Sequence, residues 1–279
     1  MPSTRVGLSI FYNRCSFGTL IQECLGQFLQ NNEKCELIQA YYLFVNSNRG
    51  DNIRLVLDCA DQNITALLSA VENNIRDYIS KNPSSGSVSE DNPINLFSDY
   101  PNNSIQYNHF ALPKVGSALM DNLRDEFSHL VSKLIAELNY REYAVVDQLF
   151  REVARLLYFE IARLFYDGVD VRRFFEWILL NGTISNGSRD VRFPLNSSQN
   201  LANQEKQLPD GRDVIKIADR ALIERRLATF INSCYPTVEK DRSGVLNHWK
   251  VGRMFIECIN VHLGIRNPAP LYCEFACSH

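Results

Sequence analysis

Apolar residues recur with two different periods along the N-terminal part of the chain. A period of two marks strands at Arg5–Asn13 and Ile53–Leu57, and a dense apolar run rich in strand formers marks another at Leu37–Val45. A period of about 3.6 marks amphipathic helices at Ser16–Gln30 and Ile64–Ile79. The pattern therefore predicts strand, helix, strand, strand and helix, in that order.

Turn and loop residues divide these elements and lead to a fourth strand. Asn, Ser and Gly cluster at Asn46–Asn52, which predicts a turn between the second and third strands. Lys81–Pro93 is polar and contains Pro and Gly, which is typical of a loop. Ser104–Leu112 is predicted to be the fourth strand. The complete order is that of the split βαβ, or ferredoxin-like, arrangement.

The remainder of the chain is predicted to be mostly helical. Apolar stripes predict five helices, at Gly116–Asn139, Glu142–Tyr166, Val169–Leu180, Asp213–Cys234 and Val245–Leu263. The polar segment Asn181–Gln207 is predicted to be a long loop. We therefore expect one α+β unit over 1–279, with a ferredoxin-like half at 1–113 and a mainly helical half at 114–279.

Composition excludes several classes of protein. The apolar fraction of 45% and the charged fraction of 22% are ordinary for a globular chain. A net charge of −3, without a basic tract, argues against a nucleic-acid partner. No apolar run reaches the ~18 residues of a membrane span, and the N-terminus lacks the features of a signal peptide. We expect a cytoplasmic protein without a membrane partner.

The eight cysteines are scattered, and two interpretations of them are open. They can be reduced core thiols or parts of a disulfide framework, and a chain of this length favours the thiols. Cys273, Cys277 and His279 form a C-x3-C-x-H ending, but a zinc site usually needs a second ligand cluster and the sequence offers none. No glycine-rich phosphate loop is present either. We expect neither a metal nor a cofactor.

Two segments resemble the thiopeptide-type biosynthesis family of ribosomal-peptide tailoring enzymes. Ala40–Asp58, AYYLFVNSNRGDNIRLVLD, is similar to the family's aromatic strand, turn and His-Leu-Arg-Leu-Arg-like strand. Met254–Gly264, MFIECINVHLG, is similar to its final helix with a His-x-His-x-Asn-Arg core. The resemblance covers most of the chain and implies an elimination-domain-like unit. The family includes the glutamate-elimination domains of lantibiotic dehydratases and the pyridine synthases of thiopeptide pathways.

The chain departs from the eliminases at the residues that resemblance assigns to their chemistry. Four positions that hold Arg or His in eliminases are occupied here by Val45, Val56, Ile256 and Cys258. Valine offers neither a charge nor a donor to a leaving carboxylate, and isoleucine cannot act as a general base. Arg54 and Asn260 are retained. A shift of the alignment by a residue would add Arg49 or His262 as partial substitutes.

The departures favour a pyridine synthase, which joins two dehydroalanines by a formal aza-Diels–Alder cyclisation. Two alternatives stay open: a glutamate-eliminating partner of a split dehydratase, and a non-catalytic partner that binds the leader peptide. The resemblance implies a ribosomal precursor peptide as substrate, with a leader and a dehydrated azole core. Other enzymes of the pathway are possible further partners. The cyclisation needs hydroxyl, imidazole and carboxyl groups in an apolar pocket.

Two short segments contain candidate groups for this chemistry. Ser243 and His248 are candidate proton carriers at the start of the last predicted helix, and Trp249 is a candidate for stacking on azole rings. The alternative is that Ser243 caps the helix and Trp249 packs in the core. Tyr107 and His109 fall on one face of the fourth strand and are candidate catalytic groups, or else a half-buried pair on the sheet surface.

Arginines are the candidate groups for holding the substrate. Arg54 is assigned to substrate binding through the resemblance. Arg220, Arg225 and Arg226 supply local positive charge that would attract an acidic leader. The alternative for these three is an ordinary solvated helix face.

Overall fold

The computed structural model describes the chain in six stretches, which form two compact units. The described stretches are 3–85, 99–108, 117–165, 168–181, 215–240 and 248–277. The first unit comprises Met1–Phe150 with Val261–Gly264, and the second comprises Arg151–Asn260 with Ile265–His279. The architecture is α+β, as the sequence predicts.

The first unit is built around a four-stranded antiparallel sheet. Its strands are β1 (Ser3–Phe11), β2 (Ala40–Asn46), β3 (Asn52–Ala60) and β4 (Ser104–Asn108). They lie in the order β2-β3-β1-β4, and every neighbouring pair is antiparallel. The first five positions of the predicted strand Ser104–Leu112 form β4, and its last four residues lie outside the described chain.

One face of the sheet is mostly apolar. Leu8, Leu55 and Leu43 lie side by side across three strands on this face, and each is at most 1% exposed. Alternate residues of a strand point to opposite faces, so the residues between them form a second face. That second face is more polar.

Three long helices lie wholly within the described part of this unit. The first, α1, consists of Phe17–Leu20, a π-helical turn at Ile21–Leu25, and Gly26–Lys34. The others are α2 (Ile64–Lys81) and α3 (Ala118–Glu137). Gly26 allows α1 and α3 to approach closely, because a Cβ atom there would lie 2.7 Å from the carbonyl oxygen of Ala136. The first helix of the predicted helical half therefore lies in the same unit as the sheet.

The hairpin between β2 and β3 is fixed by its own polar side chains. The side-chain oxygen of Asn46 accepts hydrogen bonds from the backbone N–H groups of Ser47 and Asn48. Arg49 and Gly50 both adopt positive φ, at 61° and 104°, which glycine tolerates best. The predicted turn is confirmed here, and it sets the register of the two strands.

The second unit contains most of the remaining helices. Helix α4 (Val146–Phe165) begins in the first unit and continues in the second. It is followed by α5 (Gly168–Asn181), α6 (Ile217–Lys240), α7 (His248–Leu263) and α8 (Ala269–Cys277). Helices α5 and α8 pack together through Phe175 and Phe275, whose stacked rings have centroids 4.7 Å apart.

Two features of the second unit differ from the sequence prediction. The predicted helix Asp213–Cys234 was expected to end before Pro236, but α6 continues through this proline to Lys240. A proline removes one N–H donor from a helix, and a long helix can retain its other bonds on either side. Helix α8 was not predicted, although Pro270 in its first turn is a residue typical of helix starts.

The seven cysteines whose side chains are described are free thiols. Within the described stretches, no helix combines the length and apolarity that a bilayer-spanning segment requires.

Candidate functional site

The second face of the sheet carries a row of mixed polar and aromatic residues. Phe44 in β2, Arg54 in β3, Ser9 in β1 and Gln106 in β4 are direct neighbours across the four strands. Their side chains therefore point to the same face. Phe44 and Ser9 are buried, whereas Arg54 and Gln106 are half-buried. Burial lowers the pKa of Arg54 from its ordinary value.

His262 extends this row beyond β2. Its imidazole stacks on the ring of Phe44, with centroids 4.2 Å apart and an angle of 25° between the ring planes. Nδ1 of His262 lies 2.6 Å from the carbonyl oxygen of Leu43. That oxygen can only accept, so Nδ1 carries a proton and donates it. Among the described residues, Nε2 is buried without a hydrogen-bond partner.

The outer edge of β2 is covered by side chains instead of by another strand. The ring nitrogen Nδ1 of His129 lies 3.0 Å from the carbonyl oxygen of Tyr41. The hydroxyl of Ser132 accepts a hydrogen bond from the N–H of Leu43 at 3.0 Å, and His262 binds the carbonyl oxygen of the same residue. Unpaired strand edges promote association with other chains, and these contacts satisfy the edge internally.

Burial keeps His262 neutral. The side chain is 1% exposed, and burial lowers its pKa from 6.5 to about 4, although the hydrogen bond to Leu43 acts in the opposite direction. A Cβ atom at Gly264 would lie 2.7 Å from the carbonyl oxygen of Val45, and this glycine has a φ of 63°. The end of α7 can approach β2 this closely only because residue 264 is a glycine.

An ion-pair cluster lies at the other end of the same sheet face. Arg5 binds both carboxylate oxygens of Asp58, at 2.7 and 2.8 Å, and also contacts Asp125 of α3 at 3.2 Å. The phenol of Tyr42 donates to Asp58 at 3.2 Å. Burial, and then the negative charge of Asp58, raise the pKa of Tyr42. The cluster is saturated by its own bonds, so we interpret it as structural.

A second candidate site lies in the second unit, where α5 and α7 meet. We call Phe174, Trp177, Trp249 and Arg253 the tryptophan cluster. The two indole rings meet edge to face, with centroids 5.5 Å apart, and both are half-buried. The guanidinium carbon of Arg253 lies 5.7 Å from the ring centre of Trp177. His248 is the first residue of α7, directly before Trp249.

The predicted catalytic residues fall in different places. His248 is half-buried at the start of α7, while Ser243 and His109 lie outside the described residues. Tyr107 pairs with Leu8 in the sheet, so it lies on the face opposite Arg54. It is 53% exposed, and its phenol donates to Glu72 of α2. That hydrogen bond raises the pKa of Tyr107 and lowers the pKa of Glu72.

The predicted substrate-binding arginines are also separated. Arg54 lies in strand β3 of the first unit. Arg220, Arg225 and Arg226 are all exposed on α6 in the second unit. The opposite side of this helix is buried through Ile223, Leu227 and Ile231, so the arginines lie on its solvent side.

Sequence reasoning missed three residues that the structure brings forward. His262 entered only as a partial substitute for an eliminase residue, because nothing in the sequence places it beside Leu43. Trp177 and Arg253 were not singled out. Arg253 follows Trp249 by four residues, so helical spacing predicts that they share a face. No sequence signal places Trp177 next to them.

The four positions that the resemblance aligns with eliminase Arg and His residues are apolar and buried. Val45, Val56, Ile256 and Cys258 are at most 8% exposed. Asn260, which is retained, accepts a hydrogen bond from Tyr158 and donates one to Tyr272 at 2.6 Å. Its retention therefore has a structural explanation within the second unit. In the described residues, no group of three or more His, Cys, Asp or Glu side chains is arranged to hold a metal ion.

The fold is the one found in a thiopeptide pyridine synthase and in part of a lantibiotic dehydratase. The pyridine synthase TbtD, from thiomuracin biosynthesis, is similar with a TM-score of 0.61 and 18% sequence identity, over 98% of this chain and 96% of that one. The tRNA-dependent lantibiotic dehydratase MibB from Microbispora sp. 107891 is similar with a TM-score of 0.52 and 11% identity. That match covers 98% of this chain but 27% of MibB.

The similarity of this chain to known proteins is one of structure. No protein-family model and no curated protein matches the sequence. The resemblance to the thiopeptide-type biosynthesis family is thus confirmed at the level of the fold.

Proposed function

We propose that this chain is a pyridine synthase that cyclises a leader-bearing azole peptide. The observation that carries the proposal is the end-to-end likeness to TbtD, which covers 98% of one chain and 96% of the other. The likeness to MibB involves 27% of a much longer chain.

The proposed reaction needs no oxidant and no cofactor. One dehydroalanine, with its preceding amide as the imidic-acid tautomer, is the aza-diene, and a second dehydroalanine is the two-carbon partner. Cycloaddition leaves one double bond in the ring. Loss of water adds the second, and loss of the leader as a C-terminal amide adds the third, which gives the pyridine. The protein contributes alignment of the two ends and proton transfer.

The replaced eliminase positions support cyclisation over elimination. Expulsion of glutamate leaves a carboxylate that must be steadied by charge, and Val45 and Val56 offer none. Ile256 and Cys258 are 1% and 8% exposed, so neither is placed as a solvent-accessible base. These positions fill the core instead.

Four residues are proposed to transfer protons. The first two are His248, which is half-buried at the start of α7, and Ser243, which lies outside the described residues. The other two are Tyr107 of β4 and His109, which lies outside the described residues. The phenol of Tyr107 donates to Glu72, and this hydrogen bond raises its pKa, so a substrate group would have to replace Glu72 as the acceptor of its proton.

Arginines and one tryptophan are proposed to hold the precursor peptide. Arg54 is assigned to the core peptide, and Trp249 to its azole rings. Arg220, Arg225 and Arg226 form an exposed positive strip on α6 that suits an acidic leader. Other enzymes of the same pathway are proposed to deliver the dehydrated azole peptide.

Two finer structural assignments belong with this proposal. The strand order β2-β3-β1-β4 with antiparallel neighbours supports a ferredoxin-like first half. The matches to TbtD and to MibB each cover 98% of this chain, which supports a single elimination-domain-like unit over 1–279.

A second candidate function is glutamate elimination within a split dehydratase. It is favoured by the presence of the same fold in MibB and by the retention of Arg54. Asn260 adds little to it, because its hydrogen bonds to Tyr158 and Tyr272 account for the residue.

Mass spectrometry of the purified protein with a linear azole peptide tests the proposal. The peptide carries its leader and two dehydroalanines, and the matched control has alanine in place of one dehydroalanine. We expect loss of water and release of a C-terminally amidated leader from the first peptide alone. An unchanged mass contradicts cyclisation, and a glutamylated peptide then tests elimination. Tight leader binding without either reaction indicates a non-catalytic partner.

A further inference from the structure

Two hydrogen-bond acceptors on the second face of the sheet are buried without a donor. They are Nε2 of His262 and Oδ1 of Asn52, and within the described stretches neither atom has a hydrogen-bond partner. Both residues are 1% exposed. An unsatisfied buried polar atom destabilises a fold, so two of them on one sheet face require an explanation.

The chemical role of each atom is fixed by the rest of its side chain. Nδ1 of His262 donates to the carbonyl oxygen of Leu43, and burial lowers the pKa of the ring to about 4, so Nε2 carries a lone pair. Nδ2 of Asn52 donates to the carbonyl oxygens of Asn48 and Gly50, at 3.2 and 2.8 Å. These two bonds fix the orientation of the amide and leave Oδ1 as the acceptor. Both orphan atoms can therefore only accept.

The strand register brings the two acceptors to one corner of the sheet face. Asn52 pairs with Asn46 of β2, and Arg54, two positions along β3, pairs with Phe44. Residues two positions apart in a strand share a face, and His262 stacks on Phe44. We call Phe44, Asn46, Asn52, Arg54 and His262 the acceptor corner. Asn46 and Arg54 are half-buried, so solvent reaches the edge of this corner.

The charge beside these acceptors selects a neutral ligand. The guanidinium of Arg54 is positive and lies in the row directly beside Phe44. It repels a metal ion or an ammonium group, which the two acceptors alone would attract. A carboxylate or a phosphate is attracted to Arg54 but brings no donor to Nε2 of His262 or Oδ1 of Asn52. Neutral N–H groups, such as those of peptide amides, suit both the charge and the acceptors.

The amides of a dehydrated azole core differ in whether they offer such a donor. Heterocyclisation removes the backbone N–H at each azole ring, whereas a dehydroalanine keeps its own. We propose that the acceptor corner binds the backbone N–H groups of the dehydroalanines in the precursor core, an inference that rests on the proposed function. His262 and Asn52 are substrate-binding residues in this assignment. Tyr107 lies on the opposite face of the sheet and is not part of this corner.

Nitrogen-15 NMR of the full chain with labelled histidine gives a direct test. The probes are two leader-bearing azole peptides, each with a different dehydroalanine replaced by alanine, so that neither can cyclise. The control peptides carry an N-methyl group on the remaining dehydroalanine. We expect one probe to shift the Nε2 signal of His262 upfield, as a hydrogen bond to this nitrogen does, and its N-methyl control to leave the signal in place. His129 is the internal control, because its ring nitrogens already lie 3.0 Å from Tyr41 and Glu33.

Variants separate this role from the structural role of the same side chain. N-methylation should raise the Kd of the peptide about tenfold in the wild type, and this penalty should disappear in His262→Gln, which keeps a donor for Leu43 but displaces the acceptor. Ser132→Ala is the matched control. It removes the hydroxyl that accepts from the N–H of Leu43 and leaves Nε2 unchanged, so the penalty should persist. Circular dichroism checks folding, and the NMR titration of the wild type decides where a variant is unfolded.

The outcomes separate this inference from the proposed function. A shift of Nε2 on peptide binding, in a protein that makes no pyridine, supports the inference and removes the function. Pyridine formation by a protein whose Nε2 signal does not respond to either probe overturns the inference and leaves the function. If Nε2 already resonates as a hydrogen-bonded nitrogen in the free protein, a buried water occupies the corner and the inference is overturned. Equal shifts with the N-methyl peptides, or no binding of any peptide, also overturn it.

Discussion

The imidazole of His262 donates a hydrogen bond to the carbonyl oxygen of Leu43 across 219 positions of sequence, with a distance of 2.6 Å. This bond gives the carbonyl oxygen of Leu43, on the outer edge of β2, a hydrogen-bond donor. The hydroxyl of Ser132 accepts a hydrogen bond from the N–H of the same residue. Both partners are buried, so water cannot replace either. The stability of the first unit should therefore depend on the end of helix α7.

His262→Phe should lower the free energy of unfolding by about 1–3 kcal/mol. Phenylalanine retains the stacking on Phe44 but leaves the carbonyl oxygen of Leu43 buried without a donor. Urea denaturation measures the change. His248→Phe is the control, because His248 is half-buried and belongs to the other unit. An equal decrease in the free energy of unfolding in both variants would show that the hydrogen bond to Leu43 does not stabilise the protein measurably.

Acidification should destabilise the wild-type protein through the same histidine. Its pKa is about 4 in the folded state and about 6.5 when unfolded, so only the unfolded state takes up a proton between these values. Stability is therefore fully present above pH 6.5 and falls by up to about 3 kcal/mol as the pH is lowered to 4. Denaturation curves of wild type and His262→Gln over this range measure the difference. Parallel curves would contradict the prediction, since glutamine does not titrate.

Tyr107→Phe should slow pyridine formation by about a hundredfold while leaving stability within about 0.5 kcal/mol of wild type. The phenol is exposed and its removal disturbs no core contact. Glu72→Gln is the companion variant. It weakens the hydrogen bond, and removes the charge, through which Glu72 raises the pKa of Tyr107, so the alkaline limb of the pH–rate profile should move to lower pH. Full activity in Tyr107→Phe would remove this residue from the site.

Reversal of the charges on α6, in Arg225→Glu with Arg226→Glu, should weaken precursor binding by about tenfold at low salt. The effect should shrink as salt is added, because screening acts most strongly on exposed charges. Arg76→Glu with Lys81→Glu on α2 changes the net charge equally and is the control. Titration of labelled leader peptide measures both. If the control pair weakens leader binding to a similar extent, the net charge of the protein and not the arginines of α6 accounts for the effect.

Asn260→Leu should destabilise the protein by about 2–4 kcal/mol, since it leaves Tyr158 and Tyr272 without their shared partner. Tyr158→Phe removes one of the two bonds. A double-mutant cycle of the two changes should give a coupling energy of about 1 kcal/mol or more. Additive effects would show that the network is not cooperative.

The periodicity of apolar residues predicted those helices and strands whose pattern is clear within the segment itself. The helix predicted at Ile64–Ile79 is α2, which ends two residues later at Lys81. The predicted turn Asn46–Asn52 contains the positive φ angles of Arg49 and Gly50. Helix α8 was missed because its nine residues have too few turns for a clear apolar stripe.

The candidate sites were harder to predict, because they depend on contacts between distant segments. Trp249 was singled out for its chemistry, yet its partner Trp177 lies on another helix. His262 gains its role from Leu43, and no spacing rule connects residues so far apart. Tyr107 alternates correctly within its strand, but only the sheet register shows that it faces away from Arg54. Local sequence determines which groups are available, and the tertiary fold determines which ones meet.

The dependence of β2 on His262 has a consequence for the nascent chain. Leu43 leaves the ribosome long before residues 261–264 are synthesised. During this interval its carbonyl oxygen lacks the hydrogen bond from His262. Helix α3 can protect part of the strand during this interval through His129 and Ser132. The remaining edge stays open to pairing with other polypeptides. Residues 1–150 expressed alone should therefore form an aggregation-prone fragment that depends on chaperones. A C-terminal truncation that removes His262 should destabilise the N-terminal sheet first.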